Sequence, residues 1–176
     1  MTLSQNSELD YHDVYPWIRD QNEVDKQLDL TKYRKCGDPW KSKNFETFNN
    51  HIRALYSLKQ VTELMLSKNI CYDRIIFCRP DVKFTKSLNI DYFYQSDNNI
   101  ILPNFHNYPI NDRFAICSVE NGKKYGLRFY DAFKYSLKKR LHSETFLNFI
   151  LSKNKINICK RIIRFKRVRC DGKEID

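Results

Sequence analysis

The sequence has little glycine and little proline, 4 and 5 residues of 176, and 14% of its residues are aromatic. This composition argues against extended disorder. No apolar run approaches the roughly 20 residues that cross a bilayer. The polar residues 2–13 contain no apolar core of a secretory signal. We expect one folded domain over residues 41–176, preceded by a polar N-terminal segment of residues 1–40.

The cysteines include no Cys-x-x-Cys pair, which excludes the common spacings of zinc sites. Without a visible signal, free thiols in a reducing compartment are the expectation. Both observations predict a cytoplasmic location. The six cysteines are Cys36, Cys71, Cys78, Cys117, Cys159 and Cys170.

The formal net charge is +10, and much of the excess lies late, in Lys123-Lys124, residues 138–140 and residues 160–169. A basic chain attracts polyanions such as nucleic acids, acidic membranes or small molecules that carry a diphosphate. A solvated basic face that aids solubility explains the same charges.

Residues 74–78 are the most informative segment, because four of the five side chains are apolar and two central ones are β-branched. Such a run predicts a short buried strand near the centre of a sheet. Pro80 cannot donate to a sheet ladder, so the strand ends before it. Arg79 and Asp81 are then placed at the carboxyl end of the strand, where ligands bind in open α/β sheets. We expect the Asp81 carboxylate to have no packing role there.

Apolar residues at three- and four-residue steps predict a helix from Asn44 to about Ser67, capped by Ser42 or Asn44. Its core side chains are expected to be Phe48, Ile52 and Leu55. Further strands are predicted at 99–102, 112–118, 156–158 and 162–168. Further helices are predicted from 120 or 121 to about 135, and from a Ser143 cap onward. This mixture predicts an α/β fold.

Three polar groups follow or precede these apolar segments: Arg79/Asp81, Asn111-Asp112-Arg113 and His142-Ser143-Glu144. Each has a structural explanation. Asp112 is typical of a turn, Glu144 of a first helical turn, and His142 of a cap or the surface. Together they supply carboxylates, an imidazole and guanidiniums, which suit a site for a metal and a diphosphate.

The order of six motifs resembles a family of GT-A-type glycosyltransferase domains found in large DNA viruses and microbial surface-polysaccharide loci. The resemblance covers residues 44 to 172. The motifs are Tyr-Asp-x-Ile-Ile-Phe-x-Arg-Pro-Asp-Val-x-Phe (72–84), Ile-Leu-Pro-Asn-Phe (101–105), Asn-Asp-Arg-Phe-Ala (111–115), Tyr-Gly-x-Arg (125–128), His-Ser-Glu-x-Phe-Leu (142–147) and Arg-x-Arg-x-Asp-Gly (167–172).

The resemblance implies a GT-A-like, Rossmann-related mixed sheet flanked by helices, with a nucleotide-sugar donor at its carboxyl edge. The domain would transfer a sugar to a hydroxyl of a glycan or polysaccharide acceptor. Residues 1–40 show no apolar strand with a glycine-containing loop of the kind that opens such domains, so a shortened form or a fragment is one reading. For a viral chain, the location would be the host cytoplasm.

Where the family carries Asp-x-Asp, this chain reads Arg79-Pro80-Asp81 and keeps only the second carboxylate. A divalent cation, Mn²⁺ or Mg²⁺, would then bind Asp81, with Arg79 replacing part of its charge. Glu144 or Asp112 is the candidate base for the acceptor hydroxyl. The residues expected at the donor are Arg79, Asp81, Asn111, Arg113 and His142.

Two other functions fit parts of the sequence. A non-catalytic remnant would keep the fold and bind a sugar or a partner. A nucleic-acid-binding module would use the positive charge and the aromatic residues, although no nucleic-acid signature is visible and most aromatics fall at core spacing.

Overall fold

The computed structural model of the chain describes residues 21–68, 70–96, 98–169 and 171–175. The α-helices are α1 (Gln21–Gln27), α2 (Glu46–Ser67), α3 (Asp91–Tyr94), α4 (Val119–Gly126), α5 (Phe129–Ser136) and α6 (Ser143–Lys153). The strands are β1 (Ile75–Cys78), β2 (Val82–Phe84), β3 (Asn99–Pro103), β4 (Phe114–Cys117), β5 (Asn157–Arg161), β6 (Phe165–Val168) and β7 (Glu174–Ile175). Within the described residues, short 3-10 helices span Leu30–Tyr33 and Lys43–Phe45.

The main sheet is mixed and has the strand order β1-β4-β3-β5. β4 runs antiparallel to β1 and β3, and it pairs Phe114 with Cys78. β3 and β5 are parallel. The carboxyl ends of β1, β3 and β5 therefore meet the amino end of β4 at one edge of the sheet.

Helices cover one face of the main sheet, and a small sheet covers the other. Ile100 and Leu102 face the helices α4 and α6, whereas Ile101 and Ile116 pack against Phe165 of the small sheet. The small sheet is antiparallel, with the order β2-β6-β7. The predicted α/β class, with a mixed sheet flanked by helices, is therefore confirmed.

A third cluster joins the helices to residues before position 41. Tyr33 is 3% exposed and packs with Phe48, Ile52 and Leu55 of α2, which are buried as predicted. Residues 1–20 of the predicted N-terminal segment lie outside the described residues.

The prediction that residues 74–78 form a buried central strand is wrong in its position. β1 lies at one end of the strand order, its one partner among the described strands is β4, and Ile76 is 45% exposed. The inner strands are β4 and β3, and the four residues of β4 are all fully buried because both faces of the sheet are covered there. The predicted end of β1 before Pro80 is confirmed.

The helix predicted from residue 120 or 121 to about 135 is two helices, α4 and α5, separated at Leu127 and Arg128. The carbonyl oxygen of Tyr125, near the end of α4, accepts a hydrogen bond from Arg128 Nη1 at 2.6 Å. This side-chain bond satisfies a carbonyl in the last turn, where intrahelical donors run out.

Two predicted helix caps are corrected. His142, not Ser143, occupies the N-cap position of α6. Phe45 occupies that of α2, in the left-handed region. Ser42 nevertheless contributes to α2, because its hydroxyl oxygen accepts from the amide of Thr47 at 3.0 Å.

Candidate functional site

A cleft of about 1060 Å³ lies along α2 and the edge of the main sheet. Two sequence segments reach it from this edge, because residue 79 follows β1 and residues 112–113 precede the antiparallel β4. The amino end of α6 reaches it as well, since α6 leads directly into β5 and points back toward the same edge. Five of the seven predicted site residues line the cleft: Arg79, Asp112, Arg113, His142 and Glu144.

Glu144 is the most perturbed acid in this cleft. Its residue is 8% exposed, although it lies in the first turn of α6. Burial, reinforced by the negative charge of Asp112, raises its pKa to about 7, while the nearby Arg113 acts in the opposite direction. A carboxyl with such a pKa can exchange a proton near neutral pH.

Asp112 is the electrostatic neighbour that connects the two sides of the cleft. Its charge raises the pKa of Glu144, and it also favours the charged forms of Arg79 and His142. The Tyr125 hydroxyl donates to the main-chain oxygen of Asp112 at 3.0 Å and so fixes the backbone at this point.

Asn111 is buried and supports the loop rather than lining the cleft. Its Nδ2 donates to the Phe105 carbonyl at 2.9 Å, and its Oδ1 accepts from the Arg113 amide at 2.9 Å. This turn positions Asp112 and Arg113, so the structure gives Asn111 a positioning role.

Asp81 does not line the cleft, and its carboxylate is paired with two arginines, Arg79 and Arg167. Arg79 donates two hydrogen bonds to its carboxylate, at 2.8 and 2.7 Å, and Arg167 of β6 donates two more at 3.2 Å. The hydrogen bonds from Arg79, with a smaller contribution from Arg167, lower the Asp81 pKa to about 2. The expectation that Asp81 has no packing role is therefore wrong, because it joins the β1–β2 turn to β6.

A divalent cation does not fit Asp81 in this arrangement. Two guanidinium groups already occupy the carboxylate, and a bound cation would lie against both positive charges. Within the described ranges, His, Cys, Asp and Glu side chains form no group of three that could hold a metal ion.

Several cleft residues were not predicted from the sequence. Arg128 lies in the Tyr-Gly-x-Arg motif and Arg167 and Arg169 in the Arg-x-Arg motif, but neither pattern by itself assigns a role. Trp40 was placed in the polar N-terminal segment, yet its amide donates to Asp38 Oδ1 at 2.8 Å and its ring stacks on His142 at a centroid distance of 5.1 Å. A tryptophan directly after a turn was the signal available. Cleft residues that were not predicted include Trp40, His51, Arg128, Arg167 and Arg169.

The chain matches no protein-family model, no curated protein and no solved structure. The chemistry of the cleft is therefore the basis for assigning a function. None of the helices described here is long and apolar enough to cross a membrane.

Proposed function

We propose that this chain is a glycosyltransferase domain that moves a sugar from a nucleotide-sugar donor to a hydroxyl group of a glycan or polysaccharide acceptor. The observation that carries the proposal is Glu144, a buried carboxyl with a pKa of about 7 in a cleft that arginines line. Proton abstraction from a hydroxyl and stabilisation of a diphosphate are the two tasks that such a transfer requires.

The donor diphosphate is assigned to the end of the cleft formed by Arg79, Arg167 and Arg169. Burial lowers the pKa of Arg167, and the nearby charges of Arg79 and Arg169 act in the same direction, so the three guanidinium groups lie near one another. Guanidinium groups bind phosphate oxygens through paired hydrogen bonds and remain charged at neutral pH. They take over the charge stabilisation that a metal ion would otherwise supply.

In the proposed reaction, the bond between the anomeric carbon and the β-phosphate oxygen of the donor breaks. The electron pair leaves with the nucleoside diphosphate, whose growing negative charge the arginines stabilise. The acceptor oxygen forms the new bond to the anomeric carbon, and its proton passes to the Glu144 carboxylate. Asp112 is the alternative base and otherwise raises the basicity of Glu144.

The architecture supports a GT-A-like fold for this domain. The sheet is mixed, helices cover one face, and the polar residues gather where the carboxyl ends of β1, β3 and β5 meet. Ligands bind at this edge in open α/β sheets generally.

A thermal-shift panel of nucleotide sugars, each with Mn²⁺ and with EDTA, tests donor binding, since a ligand that binds the native state raises its melting temperature. We expect at least one donor to raise it equally in both conditions. Arg79→Gln should reduce the ligand-induced shift, each variant being compared with its own ligand-free melting curve. Arg140→Gln is the matched control, because Arg140 is exposed and outside the cleft. A shift that requires Mn²⁺ would contradict the assignment of the arginines, and no shift with any donor would contradict the function.

A non-catalytic binding domain is the second candidate. The observation that favours it is the engagement of Asp81 by two arginines in place of a free carboxylate. Donor binding without any transfer or donor hydrolysis would identify this alternative.

A further inference from the structure

Arg128 is a buried cation that has no acidic partner among the described residues. Its residue is 6% exposed, its Nη1 donates to the Tyr125 carbonyl, and its guanidinium lies 4.3 Å from the centroid of the Tyr125 ring. Its Nε is buried and has no hydrogen-bond partner. None of the carboxylates in the described residues lies within ion-pair distance of Arg128. A charge in this state is costly unless a ligand compensates it.

Two histidine nitrogens in the same cleft, His51 Nε2 and His142 Nδ1, are also buried and have no hydrogen-bond partner in the part of the chain that the structure describes. The nearest carboxylate oxygen to His142 Nδ1 is Glu144 Oε2, at 4.0 Å, beyond hydrogen-bond distance. Both rings pack on Trp40, at centroid distances of 5.5 Å for His51 and 5.1 Å for His142.

These three side chains act on one another. Burial, together with the charges of Arg128 and His142, lowers the pKa of His51 to about 3. Burial also lowers the pKa of His142, against the opposing charge of Asp112. Both rings are therefore neutral near pH 7, and each can offer an N–H to a ligand.

We propose that Arg128, His51 and His142 bind an anionic oxygen group, a carboxylate or a phosphate, carried by the acceptor sugar. One anion would satisfy the unpartnered atoms of all three side chains and compensate the buried charge of Arg128. Arg128 supplies the charge, and the two rings on Trp40 supply neutral donors.

The position of Glu144 connects this site to the acceptor. Glu144 is two residues beyond His142 and interacts with Asp112, whose charge also reaches Arg79 at the donor end. Arg128, His142 and Glu144 line the same cleft, so a sugar whose acidic group is held by Arg128 and His142 would occupy the cleft that contains the Glu144 carboxylate. Assignment to the acceptor rests on the proposed function, whereas binding of the anion does not.

Isothermal titration of the full chain with D-glucuronate, glucose 6-phosphate and glucose, without donor, tests the site. We expect one or both acidic sugars to bind, while glucose does not, and the acid that binds identifies the anionic group. Arg128→Gln should weaken this binding about tenfold or more, the loss expected for a charge-assisted hydrogen bond. The matched control Arg140→Gln, which removes the same charge outside the cleft, should bind as the unmutated chain does. The proposal would be overturned if neither acidic sugar binds, or if glucose binds as strongly as they do or binds alone. It would also be overturned if Arg128→Gln binds the acidic sugars as the unmutated chain does.

Histidine titration by NMR on the unmutated chain provides a second test that does not depend on the folding of a variant. A bound anion beside His51 and His142 favours their protonated forms, so both pKa values should rise when the acidic sugar is present. His106, which does not line this cleft, serves as the internal control. Binding that leaves the His51 and His142 pKa values unchanged would place the anion elsewhere and overturn the proposal. Acid-sugar binding in a chain that no nucleotide sugar stabilises would instead contradict the proposed function, and with it the assignment to an acceptor, while the anion site itself would stand.

Discussion

At Glu144, burial and the charge of Asp112 act in the same direction, which brings the carboxyl pKa to about 7. The base must be ionised, so the transfer rate should rise with pH and level off above pH 7. Asp112→Asn removes the neighbouring negative charge that raises the Glu144 pKa, so the midpoint of the pH profile should move to lower pH. A pH–rate profile of transfer measures both midpoints. A rate that falls as pH rises from 5 to 7 (roughly the range of the titration) would exclude Glu144 as the base.

Replacement of Glu144 by Gln separates binding from chemistry. Gln keeps the size and polarity of the side chain but cannot accept the proton, so donor binding should persist while transfer falls by about 100-fold or more, as for loss of a general base. The ligand-induced thermal shift and the transfer rate of the same preparation are to be compared. Transfer at the unmutated rate would leave Asp112 as the base.

The Glu144 carboxyl also affects stability, with a sign fixed by its pKa. The folded value of about 7 lies above the usual 4.5, so the folded state binds the proton more tightly. This stabilisation is present below pH 4.5 and is lost as pH rises through 7. Glu144→Gln lacks this ionisation. As pH rises from 4.5 to 7, the melting temperature of Glu144→Gln should therefore increase relative to that of the unmutated chain. A difference that stays constant over this range would contradict the burial of the carboxyl.

The pKa shift of Asp81, and therefore its effect on the pH dependence of stability, has the opposite sign to that of Glu144. Its folded pKa of about 2 lies below the usual 3.8, so its stabilising effect is present above pH 3.8 and is lost as pH falls through 2. Asp81→Asn should lower stability by about 1 kcal/mol at pH 7, the usual scale for partly exposed ion pairs. Denaturant unfolding at pH 7 and near pH 2 measures the difference, which should shrink at the lower pH. An equal loss at both values would mean that the two arginines do not stabilise its ionised form.

At the level of elements, the contact between α2 and α4 depends on Gly126. A Cβ atom there would lie 2.1 Å from Thr62 Oγ1 and 2.9 Å from Thr62 Cβ. Thr62 is buried and donates to the Leu58 carbonyl at 2.7 Å, so it has little freedom to move. This close approach helps to place Arg128, two residues later, in the cleft.

Gly126→Ala should therefore cost about 1–3 kcal/mol, as overpacking in a core does. The matched control is Gly122→Ala, where the closest atom is the flexible Cδ1 of Ile75. Its cost should be smaller. Thr62→Ala removes the obstructing hydroxyl and should partly rescue Gly126→Ala in the double variant. Denaturant unfolding of the four variants and the unmutated chain measures these effects, and equal costs at both glycines would contradict the close approach.

The order of the elements was predictable from the sequence, but their neighbours in the sheet were not. Apolar periodicity identified α2, and Pro80 identified the end of β1. However, the Ile-Ile-Phe-Cys of β1 and the Phe-Ala-Ile-Cys of β4 look alike as apolar runs, and burial on both faces depends on which elements cover them. Next to the break between α4 and α5, Gly126 approaches Thr62 of α2, a long-range contact that local sequence does not encode.

Across the whole molecule, the candidate site was predictable where polar residues adjoin strand or helix ends. Arg79, Asp112 and Glu144 belong to this class, and one sheet edge brings them into the same cleft. Arg128 and His51 were not predictable, because they lie in or beside helices and face the cleft only once α2, α4 and α5 have packed. The metal role predicted for Asp81 remains a prediction. The hydrogen bond to Asp81 from Arg167, which is 86 residues away in the sequence, weighs against it.

The positive charge of the chain predicts how donor binding depends on salt. Of the described residues, five arginines and two carboxylates line the cleft, and the whole chain has a net charge of +10. UDP and GDP should therefore bind more weakly as the NaCl concentration rises from about 0.01 to 0.1 M, because the electrostatic screening length falls from about 30 to 10 Å over this range. Uridine and guanosine, which lack the diphosphate, should show little change and serve as controls.

The same titration separates the donor site from general attraction to polyanions. A nucleic-acid surface would release several counterions when single-stranded RNA binds, so RNA affinity would fall more steeply with salt than that of UDP. If the arginines instead form a site shaped for one diphosphate, UDP or GDP should displace bound RNA at low salt, and Arg79→Gln should weaken the nucleotide more than the RNA. Nucleotide affinity that is independent of salt, or RNA that no nucleoside diphosphate displaces, would contradict the assignment of the cleft to a diphosphate.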